Sequence, residues 1–119
     1  MLHMMCRAKI HGATVTEANL KYVGSITIDS ALLSAAGIFP YEQVQIVNLN
    51  NGSRVATYAI EGKPNSGIIC MNGPAARWAE VGDRIHVIAY SPMEPQEAKS
   101  WRPKIIFVDE KNLISSQKS

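Results

Sequence analysis

The chain has 119 residues, 46% of them hydrophobic and 18% charged, which is a globular composition of one domain's length. A formal net charge of +2, with Lys and Arg scattered along the chain, argues against a nucleic-acid face. No apolar run approaches the roughly 18 residues of a membrane helix, and Met1-Leu2-His3-Met4-Met5-Cys6-Arg7 lacks the form of a signal peptide. Cys6 and Cys70 make neither a ligand spacing nor a secreted disulfide framework, so reduced thiols and a cytoplasmic location are expected.

Short strands with turn signals between them follow one another along the chain. Met4–His11 and Ala13–Val15 read as strand material broken at Gly12, and Tyr22–Ile28 is β-rich. Asp29 or Ser30 caps a short helix over Ala31–Ala36, which Gly37 stops. Val44–Leu49 and Arg54–Ile60 flank Asn50-Asn51-Gly52, a hairpin signal because Asn-Gly tolerates positive φ. After a loop at 62–67 come the apolar strand Ile68–Met71 and one helical turn, Ala75–Trp78, opened by Pro74. Arg84–Tyr90 is a strand, Ser91-Pro92 opens a helix through Ala98, and Lys104–Val108 is the last strand. The polar end, 111–119, is expected to fray. Many short strands and few short helices predict a small β-barrel.

The pair Gly24-Ser25 interrupts one of these strand-like runs. A hydroxyl beside a glycine carbonyl can attack that carbonyl, since glycine offers no side chain to block the approach. The peptide becomes an ester, and elimination of the ester leaves a pyruvoyl group at a new N-terminus. Around the pair stand Lys9-Ile10-His11, Tyr22-Val23, Asn51-Gly52-Ser53-Arg54, Thr57-Tyr58, Asn72-Gly73-Pro74-Ala75-Ala76 and Trp101-Arg102-Pro103. In this order and spacing the chain resembles the pyruvoyl-dependent aspartate 1-decarboxylases over roughly residues 1 to 108. The resemblance implies a double-psi β-barrel. It implies one domain over 1–119, cut into residues 1–24 and 25–119, and conversion of L-aspartate to β-alanine and CO₂ for pantothenate and coenzyme A synthesis.

Loss of CO₂ from an α-carbon needs an electron sink, a role usually filled by pyridoxal phosphate. The chain is short for such an enzyme and shows no convincing phosphate cradle. A pyruvoyl ketone can take the substrate amine as a Schiff base instead, with Ser25 as its precursor. Arg54 reads on its own as a solvated charge, and its planar fork also matches a carboxylate. The resemblance implies substrate binding by Arg54 and Lys9. Tyr58 lies four residues beyond Arg54, on the same face of a regular strand; the resemblance makes it the proton donor to carbon. Thr57 has the opposite parity, and the resemblance places it at the cleavage site, at Gly24 and Ser25, as an oxyanion partner.

Asn72 and Gly73 can offer an amide and backbone N–H groups, or form a plain turn. Pro74 stands where the family often has alanine and removes one N–H donor, while Ala75 keeps its own. Val47 stands where the family carries tryptophan. His11 and Tyr22 match positions that line the site, although an isolated histidine on a β-face is often structural. His3, His11 and His86 make no metal spacing. Trp101-Arg102-Pro103 reads as structural. The resemblance further implies a homotetramer with shared sites, and in some members an acetyltransferase-like maturation factor. The competing readings are a non-catalytic β-barrel binding module that is never cleaved, and a pyruvoyl enzyme for another amino acid.

Overall fold

The computed structural model describes residues 1–118. The strands are β1 (His3–Thr14), β2 (Glu17–Asn19), β3 (Ser25–Asp29), β4 (Gln43–Asn48), β5 (Arg54–Gly62), β6 (Ile69–Asn72), β7 (Arg84–Met93), β8 (Lys104–Val108) and β9 (Ile114–Lys118). The helices are α1 (Ser30–Ala36) and α2 (Pro95–Ser100), with a 3₁₀ turn at Gly73–Arg77. The protein is mainly β, as the alternation of short apolar runs and turns predicts. All strands belong to one sheet, ordered β2-β6-β3-β5-β4-β7-β1-β8-β9. Three neighbouring pairs are parallel: β1 with β8, β2 with β6, and β3 with β5.

The sheet closes on itself through one stretch of chain. Only Val15 and Thr16 separate β1 from β2, so the strand that pairs with β7 and β8 goes on to pair with β6. Thr16 donates its N–H to the Ile69 carbonyl at 2.8 Å, and its hydroxyl accepts from the Ile69 N–H at 2.9 Å. Val15 donates to Asp83 O at 2.9 Å. Alternate residues of each strand fill the interior, where Ile10, Ile26, Ile28, Ile46, Ile69, Met71, Ile85, Val87 and Ile106 are buried. The α1 helix packs against the closed sheet through Leu32, Leu33 and Ala36.

Several elements depart from the sequence expectation, each for a local reason. The break expected at Gly12 is a bulge inside one long strand. The β1–β7 register shifts between Ile10 and Ala13, with Gly12 at φ 77°. Tyr22–Ile28 is shortened to β3, because Lys21 and Tyr22 donate to Asn19 and turn the chain there. The turn after β4 is longer than a two-residue hairpin. Only Gly52 takes positive φ, and the Asn48 side chain accepts from the N–H groups of Asn50 and Asn51. Ser91 and Pro92 continue β7, facing Met5 and Met4 of β1, and α2 begins later, at Pro95. Trp101 gains a physical account: its indole N–H donates to the Cys6 carbonyl at 3.0 Å and ties the end of α2 to β1.

The largest departure is the polar end. Within the stretch 111–119, Ile114–Lys118 forms β9, antiparallel to β8, and only Ser119 lies outside the described residues. Asn112 anchors this end from the interior, at φ 61°. Its Oδ1 accepts from Thr14 N–H at 2.7 Å, and its Nδ2 donates to Thr14 O and Gly67 O, both at 2.8 Å. Truncation to alanine leaves these backbone groups without partners. Asn112→Ala is expected to cost about 3 kcal/mol in urea unfolding, with an unchanged result arguing that water replaces the side chain freely.

Candidate active site

Directly paired residues of neighbouring strands share a face of the sheet. Ser25 pairs with Asn72 and Thr27 with Cys70, so these four side chains lie together on the face opposite the core residues Ile26, Ile28, Ile69 and Met71. Ser25 and Asn72 are nonetheless buried, each only 2% exposed. Asn72 Nδ2 donates to Ser25 Oγ and to Thr27 Oγ1, both at 2.9 Å. Ser25 Oγ also lies 3.5 Å from the Val23 carbonyl.

The peptide before Ser25 is covered by the chain that follows Asn72. Gly73 takes φ 62°, and a Cβ placed on it would meet Gly24 Cα, Gly24 N and Tyr22 O, each at 2.8 Å. Only glycine permits both that φ and that approach. A Cβ placed on Gly24 would lie 3.4 Å from Pro74 Cδ. Gly24-Ser25 therefore stands at the passage from turn to strand, clamped by Asn72-Gly73-Pro74. Ala75 is buried beneath, within the 3₁₀ turn, where its carbonyl accepts from Trp78 N–H.

The parallel β3–β5 register pairs Ile26 with Ala59 and Thr27 with Ile60. Two residues back along each strand from Thr27 and Ile60, Ser25 and Tyr58 fall at matching positions on one face; the same register extended beyond the start of β3 sets Gly24 level with Thr57. In the β4–β5 pair, Thr57 lies opposite the buried Val44, and Tyr58 lies opposite Gln43 on the outer face. The parity expected between Thr57 and Tyr58 is thus realised without a bulge in β5.

Lys9 and Arg54 share that outer face but lie elsewhere along the sheet. Arg54 pairs with Val47, and its Nη1 donates to Gln45 Oε1 at 2.8 Å, with Tyr90 Oη at 3.4 Å. Gln45 is on β4 and Tyr90 on β7, so Arg54 leans away from β3. Gln45 and Tyr90 line a groove of about 550 Å³ with Met4, Gln43, Val44 and Pro92. None of these residues lies on β3 or β6. Lys9 pairs with Ile88 of β7 and lies on β1, the strand that closes the sheet back onto β3 through β2 and β6. One chain therefore sets Asn72 against Ser25 and Gly73 against Gly24, while the Arg54 side chain turns toward β4 and β7.

The side chains of His11 and Tyr22 do not join the Ser25 cluster. Tyr22 is exposed in the turn before β3. His11 stacks on His86 with ring centroids 4.0 Å apart, and Phe107 tilts against it at 5.1 Å. Burial pushes the pKa of His11 down, as do the charges of Lys9 and Arg84. His86 is pushed down to about 4, first by burial, then by His11, Lys9 and Arg84. Its Nδ1 accepts from Gly12 N–H at 3.0 Å, a bond available only to the neutral ring. In the sequence His86 stood out only as a histidine without a metal spacing, and Thr27, Gln45 and Tyr90 carried no signal of their own. Among the described residues no group of three or more His, Cys, Asp or Glu side chains could hold a metal ion.

The family model described as aspartate decarboxylase matches residues 1–115. The chain belongs to the aspartate decarboxylase family. It is 60% identical over 114 residues to the aspartate 1-decarboxylase of Carboxydothermus hydrogenoformans, covering 96% of this chain and 90% of that one. Against the aspartate 1-decarboxylase of Listeria monocytogenes serotype 4a the identity is 57% with the same coverage. For that of Thermoanaerobacter pseudethanolicus it is 56% over 112 residues, 94% of this chain and 96% of the relative. Family membership fixes the class of enzyme; the pairing of His11 with His86 concerns its pH tolerance.

An unfolded histidine takes its proton near 6.5, whereas folded His86 resists until about 4. The neutral ring's contribution to stability is whole above about pH 6.5 and shrinks as pH falls through this window. It is gone below about pH 4. His86→Gln keeps an acceptor for Gly12 N–H without titrating. Its melting temperature is expected to fall less between these pH values than that of the wild type; parallel curves would remove His86 from the acid response.

Proposed function

We propose that this enzyme cleaves itself between Gly24 and Ser25 and then decarboxylates L-aspartate to β-alanine and CO₂. The reading further assigns it to pantothenate and coenzyme A synthesis in the cytoplasm. The observation that carries it is the grip on the cleavage peptide: Asn72 holds the Ser25 hydroxyl while Gly73 lies against Gly24.

In self-cleavage Ser25 Oγ adds to the Gly24 carbonyl carbon and the amide nitrogen departs as an amine, leaving an ester. Thr57, level with Gly24 if the β3–β5 register is extended, supplies a hydroxyl for the oxyanion of that addition. Loss of the Ser25 Cα proton then breaks the Cβ–Oγ bond and frees the Gly24 carboxylate. Water replaces the nitrogen, and ammonia leaves. The balance needs no oxidant. The buried surroundings of Ser25 suit the resulting group, since Asn72 Nδ2 already donates to an oxygen there.

A pyruvoyl group supplies the electron sink that α-decarboxylation requires. The residues of this chain do the rest. Arg54 receives the carboxylate that stays, in bidentate fashion, with Lys9 as a second cation. Asn72, the N–H of Gly73 and the N–H of Ala75 are the polar contacts left around the reacting centre once Pro74 has removed one donor. Tyr58 gives a proton to the substrate α-carbon after CO₂ has left. His11 and Tyr22 act at the margin of the site.

Because Arg54 leans away from β3 while Tyr58 matches Ser25, a complete site is best supplied by two subunits. Leu20, Tyr22 and Val23, 49%, 59% and 73% exposed beside the buried Ser25, offer an apolar surface for a neighbour to cover. The assembly is proposed as a homotetramer, and a maturation factor is an added partner if cleavage alone is slow.

Intact mass under denaturing conditions tests the first step. The wild type is expected to give fragments 1–24 and 25–119, and Ser25→Ala a single folded, inactive chain. A wild type that stays whole after prolonged warm incubation, with or without a maturation factor, or an active Ser25→Ala, would reject the mechanism.

Mixing tests the shared site. Ser25→Ala subunits refolded together with processed Arg54→Ala subunits are expected to regain activity that neither has alone, because some mixed sites are intact. No recovery in confirmed mixed oligomers, or full activity from a monomer, would place the whole site within one chain.

A further inference from the structure

The Asn72 side chain can face Ser25 with either its nitrogen or its oxygen, and the two arrangements do opposite things. With Nδ2 toward Ser25, the serine oxygen is held as an acceptor and its own hydrogen must turn elsewhere. With Oδ1 toward Ser25, the hydroxyl hydrogen is drawn into the amide and away from the Val23 carbonyl. What decides between them lies on the far side of the amide. Cys70 Sγ is 3.1 Å from Asn72 Oδ1, two residues back on the same strand face.

A thiol is a weak donor and a weaker acceptor. Facing the amide oxygen it makes an S–H···O bond, while Nδ2 makes two bonds to the hydroxyls of Ser25 and Thr27. The reversed amide would set its N–H₂ group against sulfur and forfeit that arrangement. The thiol must keep its proton for this to hold. Burial pushes Cys70 up to about 11, with the negative charge of Glu17 adding to the effect. The thiol has one hydrogen for two acceptors, Glu17 Oε2 at 3.5 Å and Asn72 Oδ1 at 3.1 Å, and the amide oxygen is the nearer.

We propose that Cys70 is a positioning residue for self-cleavage: its thiol fixes the orientation of the Asn72 amide, which in turn holds the Ser25 hydroxyl for attack on Gly24. The role rests on the cleavage reading above and adds to it a residue that never touches the reacting atoms. A bystander thiol packed in the sheet would be replaceable by any side chain of similar size. An orienting thiol is replaceable only by another donor.

The experiment follows the loss of full-length chain with time at one temperature for the wild type, Cys70→Ala, Cys70→Val and Cys70→Ser. Melting temperatures are taken on the same samples. Ala and Val bracket the volume of cysteine without a donor, so the folded one of the two suffices if the other fails to fold. A misplaced reacting group typically loses on the order of 10- to 100-fold in rate, so Cys70→Ala and Cys70→Val are expected to cleave at least about tenfold more slowly. Cys70→Ser, which keeps a donor, is expected within about threefold of the wild type. Cleavage of Cys70→Ala or Cys70→Val at the wild-type rate overturns the role of Cys70 alone, as does a Cys70→Ser chain as slow as Cys70→Ala. A wild type that never cleaves overturns both this role and the reading beneath it.

Discussion

Gly73 and Gly24 meet backbone to backbone, at a separation no side chain could enter. The candidate site is organised around that contact. It lets Asn72, the last residue of β6, stand opposite Ser25, the first residue of β3, with the turn before Ser25 folded down over both. The proposed attack of Ser25 on its own peptide bond needs a fixed serine rotamer more than it needs a strong base. Packing from one side and a hydrogen bond from the other supply that fixity. The same contact explains why a side chain on the outer face of the sheet can be as buried as the core.

The sheet divides the chemistry by parity. Residues of one parity fill the interior and hold the strands together, while the other parity carries Ser25, Asn72, Tyr58, Arg54, Lys9 and the stacked histidines. Thr57 is the exception, since it lies opposite Val44 on the core side. A small closed sheet thereby sets an amide against the serine on its outer face while the residues of the other parity fill the core.

Much of this was legible in the sequence. Strand existence followed from apolar runs between turn formers, and α1 from an Asp cap with a Gly stop; the structure has Asp29 Oδ1 accepting from Ala31 N–H, and Gly37 at φ 73°. The motif order identified the family before any coordinates. What was not legible depended on contacts distant in sequence. The end of the chain looked polar and loose because Asn112 gives no sign, by itself, of reaching Thr14 and Gly67. β2 is too short and polar to show a period, and only its pairing with β6 makes it a strand. Cys70 read as an ordinary buried thiol, since nothing along the chain reveals that it backs the amide facing Ser25.

The position of β1 has a consequence for a chain cut after Gly24. Residues 1–24 hold a strand flanked on both sides by β7 and β8 and, through β2, a third neighbour in β6. The short piece is thus an interior stave of the closed sheet, with Ala8, Ile10, Ala13 and Val15 in the core. Once severed it would be retained as a tightly bound peptide ligand of the larger piece. Unfolding would then release two molecules from one, so that stability would rise with protein concentration by mass action. Recovery from denaturation would become a second-order encounter, and dilution, harmless to the uncut chain, would become a way of losing the fold.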